Sequence, residues 1–538
     1  MARLRLNNYS LPLEKLSSKN DELPLLRAAA AAKCRLSPSQ ILQPMIVKRS
    51  LDARVMGRPA FVYTMDFEAN SRPRGGSLSY APQPQEFSIP ALPPPDPGRP
   101  RPLVVGAGPA GLLAAWALSA AGLRPLVIEQ GKRVEQRAED VARFNSGQGL
   151  DYHSNIQFGE GGAGAFSDGK LTSRSKDPLC RTILSLLIHC GADPAIGYCN
   201  KPHVGSDRLP LVISQLRQKI EAQGGEFLFE TELTDLIISA GRLCGVGLRE
   251  TQGRRELAAE YLVLAVGNGA RGVYRQLAQQ GLALEAKAFA VGLRLEQEQQ
   301  AVDLAQFGAF ARHPLLGAAD YSLTYRYQQG QKGERGVYTF CNCPGGRVVN
   351  ASSEAGGVVT NGASLAARSG PRCNAAVVAQ VEPGRDFGSG ELDGLEYQIK
   401  LEQAAYALAG GGHFLPYMSA REFCGGPAAQ PAAHWVTAQG PGLSQRELRG
   451  LLSGELEAAL AAALLHWQEQ LPGLLDQACL YGVESRTSAP LRLLRGADRV
   501  SLNCRGLYPA GEGAGYAGGI ISSAVDGLHA ALAIIEKF

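Results

Sequence analysis

The chain has 538 residues, 19% of them charged, with a formal net charge of +4. That length is ample for two or three domains with cores of their own, and so even a balance gives the whole molecule no drive toward nucleic acid or an anionic membrane. Eleven scattered cysteines without a CxxC pair argue against an iron–sulfur cluster or structural zinc, so no metal is expected, and they fit a reducing cytoplasm.

The opening "MARLRLNNYSLPLEKL" lacks the apolar run of about 7–15 residues that a secretory leader needs. No segment approaches the ~20 apolar residues of a membrane helix. A cytoplasmic protein without a transmembrane segment is expected. Residues 1–75 read as a small α+β module, with a strand near Arg3–Leu6, a helix over about Asp21–Cys34 and two strands, "MIVKRS" and "AFVYTMDF". Asp21 is placed as the helix N-cap, with Pro24 tolerated in the first turn. The module carries Lys48, Arg49, Arg54, Arg58, Arg72 and Arg74. Next, nine prolines fall between Pro82 and Pro102, a density that no strand or helix survives. Residues 76–102 are therefore read as a stiff linker isolating the module from the rest of the chain.

From Leu103 the pattern becomes strand, glycine turn, helix, strand: "VVGAGPAGLLAAWALSAAGLRPLVIEQ", Val104 to Gln130. Gly106 permits the tight turn, Gly108 lets backbone approach a pyrophosphate, and Gly111 lets helix pack on strand. Pro109 and Ala110 open the helix, whose free N–H groups suit phosphates. Glu129, at the end of the second strand and followed by Gln130, is placed to accept hydrogen bonds from ribose hydroxyls. Its charge would repel the 2′-phosphate of NADP.

Further along, "FGEGGAGAFSDGKL" sets five glycines within eleven residues, Gly161 and Gly162 among them, which suits backbone lying against a flat ring or a phosphate. Two β-rich segments flank a turn at Ala240–Gly241, and "YLVLAVGNGARG" supplies another buried strand. Its second GxGxxG (Gly267, Gly269, Gly272) is not read as a separate NAD site, because no strand ending in an acid follows at the right distance. Residues 281–480 lack the βαβ rhythm and read as a mixed-sheet domain with some helices. The rhythm returns in "LYPAGEGAGYAGGIISS".

That last segment decides between NAD and FAD. FAD is long enough to need a second anchor. Gly511 and Glu512 directly follow a strand, and Gly518 and Gly519 then open a helix at Ile520. A carboxylate for a ribityl hydroxyl and a helix N-terminus toward the flavin meet that need.

With these motifs on hand, the chain resembles the FAD-binding fold of the glutathione reductase type. More narrowly, "VKRSLDAR", "FGEGGAGAFSDGKL", "KPHVGSDRL", "CNCPGG", "VVTNGAS" and "ESRTSAP" resemble a bacterial family of uncharacterised FAD-dependent dehydrogenases. The resemblance implies that Leu233 backs the adenine edge, that Gly267 passes close to the cofactor, and that Ser167 and Asp168 lie near the flavin. In that fold an Asp usually stands where this chain has Glu512, so the hydroxyl contact is re-spaced by one methylene. The expected class is α/β: a Rossmann-like FAD-binding domain (103–280 and 481–538), an inserted mixed-sheet substrate domain (281–480) and the N-terminal module.

For catalysis, Arg486 is a cation that would hold a developing oxyanion, steered by Glu484. His203 is a candidate proton donor, although Ser206 or Asp207 beside it reads as an N-cap for a helix beginning near Pro210. Cys341 and Cys343 read as thiols packed near the cofactor, since a disulfide across a CxC spacing closes a strained ring. The expected activity is that of an FAD-dependent oxidoreductase. It passes hydride or electrons between a small organic substrate and a donor, either NADH or NADPH docking transiently or an electron-carrier protein. Arg486 and Arg492 are the cations nearest to hand for a nicotinamide donor's phosphates. The alternative is an RNA-modifying or RNA-binding flavoprotein using the basic module, which the absence of an accompanying aromatic stacking set weighs against.

Overall fold

A computed structural model describes the chain except for residues 55–57, 73–76, 83–86, 94–97, 99, 174, 329–332, 428–435 and 437. Short, wholly apolar runs form the inner strands of a parallel sheet: Leu103–Val105, Leu126–Ile128 and Leu262–Leu264 are buried at every residue, as strands covered on both faces must be. Leu507–Pro509 and Glu226–Leu228 complete it, in the order 507–509, 262–264, 103–105, 126–128, 226–228. Alternation then divides the faces. Val104, Val127, Val263 and Tyr508 pack against the helices Pro109–Ala120, Leu209–Ala222 and Ile520–Ile535. Leu103, Val105, Leu126 and Leu264 pack against an antiparallel three-stranded sheet formed by Glu232–Ser239, Arg242–Glu250 and Gly253–Ala258.

The middle of the chain builds a seven-stranded mixed sheet. Its order is Thr324–Gln328, Glu334–Cys343, Arg372–Val381, Phe289–Glu298, Cys479–Glu484, Leu415–Ser419, Leu443–Gln445, antiparallel except for the final pair. Cys479–Glu484, most of which was expected to travel with the FAD-binding segments, belongs to this sheet through its pairing with Phe289–Glu298. An apolar, fully buried strand carries no mark of which sheet will take it. The sheet's two faces differ in character. Phe289, Val291, Leu293 and Leu295 enter a large apolar core, whereas Arg294 points the other way, with Ala290, Ala376 and Val378 on that side.

The N-terminal residues form a four-stranded sheet, in the order Leu42–Asp52, Ala60–Ala69, Ala2–Pro12, Leu78–Tyr80, with the helix Glu22–Cys34. Asp21 does not cap that helix. Its carboxylate accepts from the backbone N–H groups of Ser17 and Ser18, both at 2.8 Å, and so closes the preceding turn. The expected isolation of this unit is also corrected. Leu4, Leu6, Tyr63 and Phe67 share one apolar core with Leu293, Val377 and Trp467, and His313 Nε2 meets the Leu16 carbonyl at 3.0 Å. Nor is the proline-rich stretch a free spacer. Residues 78–80 are its sheet's fourth strand, and Phe87, Ile89 and Leu92 dock on the core under Pro109–Ala120. Its residues 83–86, 94–97 and 99 lie outside the described residues, as does Arg74. Among the described residues, no helix is long and apolar enough to cross a membrane.

Candidate functional site

A cavity of about 410 Å³ runs along the carboxyl ends of the parallel strands and under the polar face of the seven-stranded sheet. At its near end the turn after Leu103–Val105 does what the glycine spacing predicts. Gly106 has φ +98°, and a Cβ there would lie 2.4 Å from the Ala265 carbonyl oxygen. At Gly111 a Cβ would lie 1.8 Å from the Gly106 oxygen. Gly108 is different: its φ is −77°, and a Cβ would meet only Gly162 Cα, at 3.8 Å. The backbone at Gly108 is left bare toward the cavity, as a pyrophosphate requires.

Glu129 lines this end and is held by three backbone donors, Ala107 at 2.8 Å, Gly131 at 2.9 Å and Gly159 at 3.2 Å. The glycine-rich loop is folded around a residue that sequence reasoning missed, Arg137, which is fully buried. Its guanidinium donates to the carbonyls of Asn155, Ile156, Gly159, Glu160 and Gly162, at 2.6–3.1 Å. All five N–H groups are thus satisfied. Burial pushes Arg137 down to about 10, against the pull of Glu129 and Glu160, so it stays a cation at neutral pH.

At the far end Glu512 follows Leu507–Pro509, and Gly518 and Gly519 precede the helix Ile520–Ile535. Three strand spacings of about 4.8 Å separate the strand before Glu129 from the strand before Glu512, roughly 14 Å in all. Among the described residues, no hydrogen-bond donor reaches the Glu512 carboxylate, which lines the cavity. Burial pushes it up to about 7, with Lys287 partly opposing. An acid raised in this way disfavours folding only when ionised. In cofactor-free protein, Glu512→Gln should match wild type below about pH 4.5. It should then gain on it as pH rises to about 7, by on the order of 3 kcal/mol, which thermal unfolding across that range would read.

Gly106, Gly108, Pro109, Ala110, Glu129, Gln130, Gly162, Ser167, Asp168, Leu233, Gly267, Gly511, Glu512, Gly518, Gly519 and Ile520 all line the cavity. Gly111 and Gly161 do not, because they serve packing. A Cβ at Gly161 would lie 2.4 Å from Ile213 Cδ1. Asp168 is held by Ser364, Arg368 and Lys170. Burial alone would raise it, but the two cations outweigh that and hold it at about 2.

The catalytic candidates separate. Arg486 and Glu484 line the cavity, but they do not pair. Arg486 is gripped by Glu402, at 2.9 and 2.7 Å, and donates to Ser353 Oγ at 2.8 Å. Glu402 stands on the helix Asp393–Ala409 and also takes Arg271, at 2.7 and 3.0 Å. Burial would raise Glu402; Arg486 and Arg271 bring it to about 2. Glu484 instead faces Arg294, at 3.2 Å, and accepts from Thr360 at 3.0 Å. Such pairs, 84 to 190 residues apart, leave no local signal.

His203 does not reach the cavity wall. Its Nε2 bonds to the Ala366 carbonyl at 3.0 Å and burial lowers its pKa, so it is a neutral tether. Asp207, expected as a cap, accepts from the Ala366 N–H at 2.7 Å; neither it nor Ser206 bonds to an N–H of the helix Leu209–Ala222. Arg492, expected to greet a donor's phosphates, pairs with Glu285 at 2.8 Å and lies beside Tyr516, away from the cavity. The basic N-terminal set is partly spoken for as well: Arg49 stacks on Phe61 and pairs with Glu22, and Arg54 pairs with Asp52.

The chain is similar to several known proteins. Residues 288–487 match the family described as "FAD-dependent protein, C-terminal domain-like", residues 104–163 an NAD(P)-binding Rossmann-like domain, and residues 3–68 a domain of unknown function. An uncharacterised protein of Clostridium beijerinckii is 39% identical over 99% of each chain. A thiamine thiazole synthase of Aeropyrum pernix is 31% identical over 34% of this chain and 58% of its own. Among solved structures, a geranylgeranyl bacteriochlorophyll reductase-like protein of Thermoplasma acidophilum aligns over 81% of this chain and 78% of its own, with 13% identity and a TM-score of 0.33.

Proposed function

The chain belongs to the family of FAD-dependent proteins that includes its full-length Clostridium beijerinckii relative, and from that premise we propose that it is an oxidoreductase binding FAD in the glutathione-reductase manner. The observation that carries this reading is one continuous cavity with an acid after a strand at each end, Glu129 held by backbone donors and Glu512 with none among the described residues, and bare backbone at Gly108 between them. FAD supplies reversible two-electron chemistry there. Glu129 takes the adenosine ribose, the N-terminus of Pro109–Ala120 the pyrophosphate, and Glu512 a ribityl hydroxyl.

The substrate is a small organic molecule that enters beneath the seven-stranded sheet, where Phe340, Asn361, Arg486 and Thr487 line the wall. Arg486 spends three of its five N–H groups on Glu402 and Ser353. The other two are held ready, at no cost in reorganisation, for an oxygen on which charge develops. Its positive charge is neutralised by Glu402, so it orients and polarises rather than attracting anions from a distance. The electron donor is a reduced nicotinamide docking transiently.

Anaerobic mixing of the yellow holoprotein with NADH and with NADPH tests this. At least one should bleach the flavin absorption band. Bleaching by neither, with bleaching by a low-potential electron-carrier protein, would replace the nicotinamide donor with a protein one. A colourless protein that takes up no added FAD would remove the oxidoreductase reading altogether.

A further inference from the structure

Cys341 and Cys343 end the strand Glu334–Cys343 at a break in its ladder. Phe340 pairs with Ala376 and Cys343 with Asn374, so Cys341 and Asn342 stand opposite Ala375 alone. Such a bulge re-aims side chains. Here Cys341 takes φ +48°, and both sulfurs fall beside one amine: Lys170 Nζ is 3.8 Å from the first and 3.4 Å from the second. Arg294 donates to the Cys341 carbonyl at 2.8 Å and reaches the Cys343 sulfur at 3.7 Å. Cys341 lines the cavity, while Cys343 is buried behind it.

The surrounding charges do not balance without the sulfurs. Lys170, Arg294 and Arg368 bring three positive charges, and Asp168 and Glu484 bring two negative ones, in contacts of 3.0–3.2 Å. His203 is the neutral tether, and Glu512, which also feels Cys341, has Lys287 to offset its charge. One thiolate shared between the two sulfurs closes the balance. We propose that Cys341 and Cys343 are a redox-active dithiol that exchanges an electron pair with the bound FAD, Cys341 being the sulfur that faces it.

The step balances as written. The thiolate and the neighbouring thiol give up two electrons and one proton, a sulfur–sulfur bond forms, and oxidised FAD takes the two electrons and that proton to become the anionic reduced flavin. The reverse step opens the disulfide. A two-residue spacing closes a strained ring, and strained disulfides are the readily reduced ones, which suits a reversible store. The first proton of the pair leaves well below the usual thiol range. The hydrogen bond from Cys343 is the main cause, and Lys170 and Arg294 add to it against burial. Elsewhere burial dominates: Cys373 and Cys479 are pushed up to about 12.

The proposal rests on the FAD reading, and the experiment keeps the two apart. Air-oxidised holoprotein is titrated anaerobically with dithionite, and a sample is alkylated, digested and weighed. Wild type should take up about four electrons per FAD, against about two in Cys341→Ser and in Cys343→Ser. The oxidised peptide spanning both cysteines should resist alkylation and be lighter by two hydrogens. If the serine variants do not fold, the wild-type stoichiometry and peptide mass still decide. Yellow wild type that takes up about two electrons per FAD, with both cysteines alkylated, overturns the dithiol. Protein without flavin overturns the oxidoreductase reading instead, and with it the dithiol's electron partner.

Discussion

Gly108→Val should give a folded protein that comes off the column colourless. The backbone at Gly108 is of an ordinary kind, with φ −77°, and a Cβ meets nothing closer than 3.8 Å, so the turn can hold a side chain. What it cannot hold is a side chain and a pyrophosphate together, because valine's methyl groups project into the space left bare. Flavin content, read as the ratio of flavin to protein absorbance, should fall close to zero. Added FAD at a thousand times its dissociation constant stabilises a binding protein by about 4 kcal/mol. The wild-type melting temperature should therefore climb on adding FAD, while that of the variant stays flat. Gly111→Val is the contrast, since its Cβ would lie 1.8 Å from the Gly106 oxygen; there the soluble protein itself should be lost. A yellow Gly108→Val protein would mean that the phosphates lie elsewhere.

Glu402→Gln should be the most destabilising conservative change behind the cavity wall, by about 3–5 kcal/mol at neutral pH. The side chains of Glu402, Arg271 and Arg486 are all buried, and removing the anion they share leaves two guanidinium groups facing each other. Glu354 at 2.7 Å from Arg271 and Ser353 at 2.8 Å from Arg486 are what remain to them. Because the cations hold the folded-state acid at about 2, its contribution is complete above the ordinary carboxylate value of 4.5 and is lost as pH falls toward about 2. Urea unfolding of both proteins at neutral pH and again near pH 3 should show the gap between them shrinking. An equal gap at both would assign the loss to packing rather than to charge.

What was legible in the sequence is what lies close together along the chain. The Gly106–Gly108–Gly111 turn, Glu129 after its strand, and Glu512 with the glycines behind it each need only a short run of residues, with the physics contained in that run. The partners of the buried charges were not legible. Arg137 reaches five carbonyls near the glycine loop, yet on paper it is one more arginine in a charged helix. Glu402 meets Arg271 across 131 residues, Arg294 meets Glu484 across 190, and Arg368 meets Asp168 across 200. Sheet order fixes those encounters; period-2 alternation places Arg294 on a polar face that apolar patterning cannot register, and the bulge, not alternation, re-aims Cys341. Placing Glu484 as the guide of Arg486 trusted proximity in sequence, whereas the strand ends at Glu484 and Arg486 lies beyond it, where strand alternation no longer sets the side it faces.

The parallel sheet also sets the moment at which cofactor can be taken up. Its strand Leu507–Pro509 pairs with Leu262–Leu264, and the far wall of the cavity, Glu512 to Ile520, follows it. A chain emerging from the ribosome completes its amino-terminal part first. The near half of the cradle, down to Gly267, would therefore be exposed for the synthesis of some 240 further residues before its other half arrives. A nascent chain halted at residue 500 has the Gly106–Gly111 turn but neither Glu512 nor the glycines that follow it. On the proposed placement of FAD, its capture would be a late event in biosynthesis, and supply of the cofactor would bear on the finished chain rather than on the growing one.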